Sequence, residues 1–203
     1  YREFFQYGVE LVGASGPIAE AEVIALAIDM LDSSGLKNWQ LRIGHVGILK
    51  DALTGLGLPD QIEQGASEPA IASAMRFLDK GDDDGLANLF SSNGIDPSFS
   101  EPLRKLSQLQ GGVETLEPAR EILSALEGVS LESLDELKIT LDAISALAVT
   151  PPSIAVDLTV ARGLDYYTGM VFEVQVEELG GEGQVLGGGS YNLMHLFGLA
   201  DLD

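Results

Sequence analysis

Residues 162–173 read RGLDYYTGMVFE. A guanidinium, a carboxylate and two phenols precede a glycine, after which apolar residues return in alternation. Arg162 carries five donors in a fixed fork that suits a carboxylate or a phosphate. Because packing alone does not require so much polar chemistry in one connection, the stretch is predicted to form the wall of a binding site.

Strands are predicted on both sides of this stretch. Residues 153–160 (SIAVDLTV) are rich in β-branched side chains, and residues 170–176 (MVFEVQV) alternate between apolar and polar types. Thr168-Gly169 is predicted to supply the turn, since glycine accepts backbone angles that other residues avoid. Tyr166 and Tyr167, as successive residues on extended backbone, are expected to point to opposite faces. Taken alone, the stretch favours a surface hairpin that holds an Arg–Asp pair, and the prediction of a binding site depends on the other segments of the chain.

The first segment, residues 1–13 (YREFFQYGVELVG), also alternates and is predicted to be a strand. Gln6 and Glu10 then share one face, about 13 Å apart at roughly 3.3 Å per residue. Gly8 between them leaves that face open to close approach by a small polar ligand. The alternative is an edge strand whose polar face is simply solvated.

A helix is predicted from Ser15-Gly16-Pro17 to Gly35, because a capping hydroxyl, a proline in the first turn and a terminal glycine mark its ends. Residues 39–49 are predicted to be a strand that runs into a helix, with His45 as a buried structural histidine and not a catalytic base. The next region is charge-laced and helical, with helices predicted at 68–78, 84–91, 100–109, 116–126 and 133–147.

Strands before and after this helical region indicate one sheet interrupted by an insertion. The predicted division is a first part of a core at 1–48, a helical module at 49–148 and a second part of the core at 149–203. A hairpin turn is predicted at 180–183, and a helix at 191–199. The three glycines at 187–189 would let the backbone lie directly against a ligand.

Charge is the unusual feature of the composition. The 203 residues include 11 Lys and Arg against 32 Asp and Glu, for a net charge of −21. Such a surface repels phosphate backbones, so nucleic-acid binding by this chain alone is disfavoured at low salt. Because the acidic residues are spread along the whole chain, the composition favours a host with molar internal salt, where these charges are screened.

Cysteine is absent and only two histidines are present, so disulfides and thiolate metal sites are excluded and no protein-bound metal is expected. No apolar run reaches transmembrane length and no basic-apolar leader is present, which predicts a cytoplasmic protein. The chain starts at Tyr1 in mid-pattern, and we therefore expect it to be a piece of a longer protein.

Three segments, YREFFQYGVELVG, RGLDYYTGMVFE and GGGSYNLMHLFG, occur in this order with a helical insertion before the second, and together they resemble the histidyl-tRNA synthetase family. The resemblance covers essentially the whole chain and is most specific in RGLDYYTG followed by VFE. It implies an α+β fold of the class II synthetase type, with an antiparallel sheet flanked by helices and an inserted all-helical module. The first segment resembles the second half of class II motif 2, and the second resembles the family's histidine-binding signature.

The resemblance implies roles for individual residues. Glu10 and Tyr167 would grip the imidazole of substrate histidine, Gln6 would contact its α-amino group, and Tyr191 would line the pocket. Arg162 would lie against the substrate carboxylate and the α-phosphate of ATP, as the catalytic residue. Histidine, ATP with Mg²⁺ as a substrate, and tRNA(His) are the implied ligands of the full-length protein, which is expected to be a homodimer through a region outside this chain.

The chain also departs from the family pattern. Ser190 and Asn192 replace the Arg and Asp of the family's Gly-Gly-Gly-Arg-Tyr-Asp segment. The first motif 2 Arg would precede Tyr1, which leaves Arg2 as the loop arginine for ATP, and the motif 3 Arg would follow Asp203. Motif 1 and the anticodon-binding domain are also absent from the chain. A catalytic-core fragment that keeps the histidine half of the site is therefore expected.

Two other classes of function remain open. One is the synthetase-like regulatory subunit of ATP phosphoribosyltransferase, which shares the histidine-binding signature and senses histidine without charging tRNA. The other is a purely structural acidic interaction domain. The joint presence of Gln6, Glu10, Arg162, Tyr167 and Tyr191 favours the synthetase.

Overall fold

A five-stranded sheet packed against helices forms the fold. The structure is a computed structural model that describes residues 3, 5–60, 69–148, 153–158, 160, 166–177 and 183–194. The helices are α1 (Pro17–Ser34), α2 (Val46–Gly55), α3 (Ala70–Lys80), α4 (Asp83–Ser92), α5 (Ser100–Ser107), α6 (Leu116–Ser124) and α7 (Glu132–Leu147). The strands are β1 (Trp39–His45), β2 (Gln110–Gly111), β3 (Ile154–Asp157), β4 (Tyr167–Val176) and β5 (Gln184–Tyr191).

The strand order in the sheet is β2-β3-β1-β4-β5. The β1–β3 pair is parallel, and the other three pairs are antiparallel. A parallel pair needs a long crossover connection, which the helical region between β1 and β3 provides. The predicted α+β class with a sheet flanked by helices is confirmed, and three of the four strand pairs are antiparallel, as predicted for the sheet.

One apolar core joins the sheet to the helices. Leu41 and Ile43 on β1 pair with Val174 and Phe172 on β4, and all four side chains are buried in the same core as the helices. Because successive side chains of a strand alternate, the intervening Arg42 lies on the opposite face of the sheet. The sheet therefore has an apolar face covered by helices and a face with charged groups.

The ends of α1 follow local signals. Pro17 occupies its first turn, and Gly35 ends it in the left-handed conformation with a φ of 79°. The N-cap is Gly16, without a side-chain hydrogen bond, so the predicted capping hydroxyl of Ser15 is wrong. Proline preorganises the helical φ at the first turn, which suffices to start the helix without that cap.

The five helices predicted between 68 and 147 are confirmed as α3 to α7, each within two residues at both ends. The long connection is thus helical throughout most of its described length. Among the residues that the structure describes, no helix is long and apolar enough to cross a membrane.

The first segment differs from its prediction. Residues 5–12 form no strand, and Phe5 and Tyr7 are 91% and 87% exposed. A strand needs a neighbouring backbone for its hydrogen bonds, and no described strand pairs with this segment. Alternation in sequence was therefore not sufficient to form a strand here.

The other two differences lie around β4 and β5. β4 begins at Tyr167, so Thr168-Gly169 lies inside a strand and the predicted turn there is wrong. β5 extends through Tyr191, so the predicted helix does not begin at that residue, and positions 195–199 lie outside the described residues. Most of the predicted hairpin turn at 180–183 also lies outside them, although the strands that it would join are antiparallel neighbours.

Candidate functional site

Three tyrosines gather where the first residue of β4 faces the last residue of β5. Tyr167 and Tyr191 are directly paired across the two strands, with ring centroids 6.4 Å apart. Tyr166 lies 4.5 Å from Tyr167 and 5.7 Å from Tyr191, the latter in an edge-to-face arrangement. We refer to Tyr166, Tyr167 and Tyr191 as the tyrosine cluster.

Glu10 is joined to this cluster from the other end of the chain. The Tyr191 hydroxyl donates a hydrogen bond of 2.5 Å to Glu10 Oε2, across a sequence separation of 181 residues. Hydrogen bonds to a charged acceptor are shorter and stronger than neutral ones. This contact places the first segment beside the end of β5 although no backbone ladder holds it there.

The phenols of the cluster are proton donors. Burial raises the pKa of the Tyr167 phenol above its ordinary value, and the 3.4 Å hydrogen bond between the Tyr166 and Tyr167 hydroxyls adds to this shift. The hydrogen bond to Glu10 raises the pKa of Tyr191. Both phenols therefore remain protonated at neutral pH, so the hydroxyl of Tyr167 can donate to a ligand while Tyr191 donates to Glu10.

Of the residues predicted to bind a ligand, Glu10, Tyr167 and Tyr191 come together. Gln6 is exposed and makes no hydrogen bond to the cluster within the described ranges. Arg2 and Arg162 lie outside the described residues. The structure thus brings together the carboxylate and the phenols.

Tyr166 is the residue of the cluster that sequence reasoning missed. It was expected to point away from Tyr167, but their rings lie against each other. Tyr166 precedes the first residue of β4, so the alternation of strand side chains does not apply to it. The sequence did not reveal that Tyr166 lies in a turn before the strand.

A second polar cluster lies on the face of the sheet that carries charged groups. Arg42 on β1 donates from Nε to Asp157 Oδ2 at 2.9 Å and from Nη1 to Glu173 Oε1 at 2.5 Å. Gln175 donates to the same Glu173 oxygen at 3.0 Å. Since both carboxylates already accept from Arg42, this guanidinium joins three strands and is not available to a ligand. The sequence indicated this polar cluster only through the Asp inside the β-branched run at 153–160.

The glycines of β5 have a packing role. A Cβ on Gly189 would lie 2.6 Å from the Met170 carbonyl oxygen, and one on Gly188 would lie 3.0 Å from the Phe172 ring. Contacts this short force the neighbouring atoms to move. Positions 188 and 189 of β5 therefore need glycine for packing against β4, independently of any ligand.

His45 has the structural role predicted for it. It is 5% exposed, its Nδ1 accepts from the Gly47 N–H at 3.1 Å, and its Nε2 lies 3.3 Å from Glu136 Oε2. Burial lowers the pKa of His45, so the neutral ring caps the start of α2. Within the ranges that the structure describes, no three imidazole or carboxylate groups are arranged to hold a metal ion.

Known proteins resemble this chain in sequence. The profile of the histidyl-tRNA synthetase family matches residues 1–201. A histidine–tRNA ligase of Archaeoglobus fulgidus is 40% identical over 198 residues, which make up 98% of this chain and 43% of that protein. The chain thus spans less than half the length of this curated relative.

Solved structures share the fold. A protein from Bacillus halodurans C, described as an ATP phosphoribosyltransferase regulatory subunit/histidyl-tRNA synthetase, aligns with a TM-score of 0.67 and 26% identity over 89% of this chain and 44% of its own. The histidyl-tRNA synthetase from Nostoc sp. PCC 7120 aligns with a TM-score of 0.66 and 21% identity over 90% of this chain and 42% of its own.

The family profile covers almost all of the chain, and the residues that meet at the tyrosine cluster come from the three segments that resemble the family. The helices and the mixed sheet match the solved folds over most of the described residues. On these grounds the chain belongs to the histidyl-tRNA synthetase family.

Proposed function

We propose that this chain is the histidine-binding part of the catalytic core of a histidine–tRNA ligase. The observation that carries the proposal is the hydrogen bond from Tyr191 to Glu10, because it joins two of the three characteristic segments at one site. The curated relative at 40% identity supports it, since that protein is a histidine–tRNA ligase. The activity is proposed for the full-length protein, because this chain covers 43% of the length of that relative.

Substrate histidine would be recognised by its two ring nitrogens. The Glu10 carboxylate accepts from one ring N–H, and the protonated Tyr167 phenol bonds to the other nitrogen, while Tyr191 holds Glu10 in place. Gln6 contacts the α-amino group. A different amino acid would leave one of these polar groups unpaired, at a cost of about 1–3 kcal/mol. This pairing makes the pocket selective for an imidazole.

The first chemical step needs no protein nucleophile. A carboxylate oxygen of histidine attacks the α-phosphorus of ATP, the new P–O bond forms histidyl-adenylate, and the bond to pyrophosphate breaks. Arg162 would stabilise the charge that builds on the α-phosphate. Arg2 would contact ATP, and Mg²⁺ enters with ATP as part of the substrate. In the second step a terminal hydroxyl of tRNA(His) attacks the acyl carbon and releases AMP.

The domain division, the oligomeric state and the host cell are part of the same proposal. Residues 1–48 and 149–203 form the two parts of the core, and residues 49–148 form the helical module. The full-length protein is a homodimer that acts in the cytoplasm of a host with molar internal salt. The net charge of −21 supports the last point.

Histidine-dependent exchange between ATP and pyrophosphate by the full-length parent, measured in molar KCl, tests the proposed activity. We expect exchange in the wild type and, in Glu10→Gln, an increase of about tenfold in the KM for histidine, because the charged acceptor for the imidazole N–H is lost. Glu117→Gln, on the exposed side of α6, is the matched control and should leave the KM unchanged.

The outcome also separates the alternatives. Histidine binding by calorimetry without any exchange would favour a histidine-sensing regulatory subunit, like that of ATP phosphoribosyltransferase. Neither binding nor exchange would overturn the proposal. An unchanged KM in Glu10→Gln would show that Glu10 does not bind substrate histidine.

A further inference from the structure

A carboxylate lies behind the tyrosine cluster and joins three distant parts of the chain. Glu20 on α1 accepts from the Ser190 hydroxyl on β5 at 2.6 Å through Oε1, and from the Thr140 hydroxyl on α7 at 2.8 Å through Oε2. The sequence separations are 170 and 120 residues. Each carboxylate oxygen therefore has its own donor from a different element.

The burial of these groups makes the contacts stronger than surface hydrogen bonds. Thr140 is fully buried, and both Glu20 and Ser190 are half-buried. Hydrogen bonds to a charged acceptor are about twice as strong as neutral ones. Removal of the carboxylate would leave the Thr140 hydroxyl unsatisfied in the core, which is costly. The position of Glu20 is thus set by α7 on one side and available to hold β5 on the other.

Ser190 is held from β4 as well. Its carbonyl oxygen accepts from the Thr168 hydroxyl at 3.4 Å. A Cβ on Gly169 would lie 3.1 Å from the Ser190 Cβ and 3.3 Å from Glu20 Oε1. The glycine inside the characteristic segment 162–173 therefore gives Ser190 and Glu20 the space to approach each other.

We propose that Glu20 is a positioning residue for the histidine pocket, acting through Ser190 on the adjacent Tyr191. Glu20 fixes the end of β5, the end of β5 sets where the Tyr191 phenol lies, and that phenol holds Glu10. Because the second oxygen of Glu20 is bonded to Thr140, the position of α7 is coupled to the same pocket. This inference rests on the proposed function, since it concerns the affinity for histidine.

The test uses the full-length parent and measures both the histidine Kd by calorimetry and the kinetics of ATP–pyrophosphate exchange. The variants are Ser190→Ala, Thr140→Val, Glu20→Ala and Glu20→Gln, with Glu22→Gln on the exposed face of α1 as the matched control. We expect Ser190→Ala to weaken histidine binding about tenfold, in proportion to the loss of a hydrogen bond to a charged group. The KM for ATP should stay within about twofold of the wild type in the same variant.

Glu20→Gln is the conservative variant and should retain part of the histidine affinity. Its amide oxygen still accepts from one hydroxyl, so we expect a smaller loss of histidine affinity than in Glu20→Ala. If Glu20→Ala does not fold, Ser190→Ala still decides the question, because it removes a hydroxyl without creating an unpaired buried donor. Thr140→Val combined with Ser190→Ala should be less than additive, since both act through the same carboxylate.

A structural role alone would lower the melting temperature of these variants and leave the histidine Kd at the wild-type value, and that result would overturn the inference. Wild-type protein that binds no histidine would instead overturn the proposed function, and the inference with it. Histidine binding by the wild type together with equal losses for ATP and histidine in Ser190→Ala would also overturn it, because the whole site would then have been distorted.

Discussion

Substitutions in the Arg42 network are expected to cause the largest loss of stability on the charged face of the sheet. One guanidinium on β1 donates to Asp157 on β3 and to Glu173 on β4, so it links three adjacent strands. The Asp157 side chain is 2% exposed and that of Arg42 is 23% exposed. Asp157→Asn keeps the size of the side chain but removes the charge that Arg42 faces.

The structure sets the expected magnitude. Removal of one partner of a buried ion pair costs about 3–5 kcal/mol. Arg42 is partly exposed and keeps Glu173, so we expect a loss of about 2–3 kcal/mol in the free energy of unfolding for Asp157→Asn. Glu173→Gln leaves the Nε and Nη2 hydrogen bonds from Arg42 to Asp157 in place and should cost about 1 kcal/mol. Lys138→Gln removes an exposed pair with Asp142 and should cost less than about 0.5 kcal/mol.

Urea unfolding at constant molar KCl measures these losses, with linear extrapolation to zero denaturant. The expected order is Asp157→Asn, then Glu173→Gln, then Lys138→Gln, with unchanged slopes. Equal small losses for Asp157→Asn and Lys138→Gln would refute the reasoning, because the buried network would then contribute no more than a surface pair.

Three further outcomes are expected. Burial lowers the pKa of His45 below the ordinary value of 6.5, so its contribution to stability is complete above that pH and is lost as the pH falls through the lower folded-state pKa. The urea midpoint of the wild type should therefore fall more between about pH 7.5 and about pH 5 than that of His45→Asn, and equal falls would contradict this. Gly189→Ala places a Cβ 2.6 Å from a carbonyl oxygen and should lower stability by about 1–3 kcal/mol in thermal melts, whereas Gly8→Ala, with no atom within 4 Å, should melt like the wild type. Because the net charge is −21, dilution from molar salt to tens of millimolar should unfold the protein by circular dichroism, and a salt-independent melting temperature would exclude the halophilic interpretation.

The helical region was predictable because its signals are local. Breakers and caps at the joints, together with apolar periodicity, placed α3 to α7 within two residues. His45 was also predictable, since an imidazole among apolar residues at the end of a strand is more often satisfied by nearby backbone than catalytic. The helices and the hydrogen bond from the Gly47 N–H to His45 depend on interactions within a few residues of each other, whereas the contact of His45 with Glu136 joins distant parts of the chain.

Two of the predictions that failed depended on distant partners. Residues 5–12 alternate, but no described strand supplies the hydrogen bonds that would make them a strand. Thr168-Gly169 contains a residue typical of turns, yet the pairing of Tyr167 with Tyr191 keeps this stretch in β4. In both cases the neighbouring strand decided the outcome against the local signal.

The sequence by itself determined the family, the helices α3 to α7 and the polar residues Glu10, Tyr167 and Tyr191. The tertiary structure decided which side chains meet: Glu10 with Tyr191, Arg42 with two carboxylates, and Glu20 with Ser190 and Thr140. The physical reason is that caps and periodicity act over one or two turns of chain, whereas these contacts join residues more than 100 positions apart. Such contacts form only when sheet order and helix packing have brought their elements together.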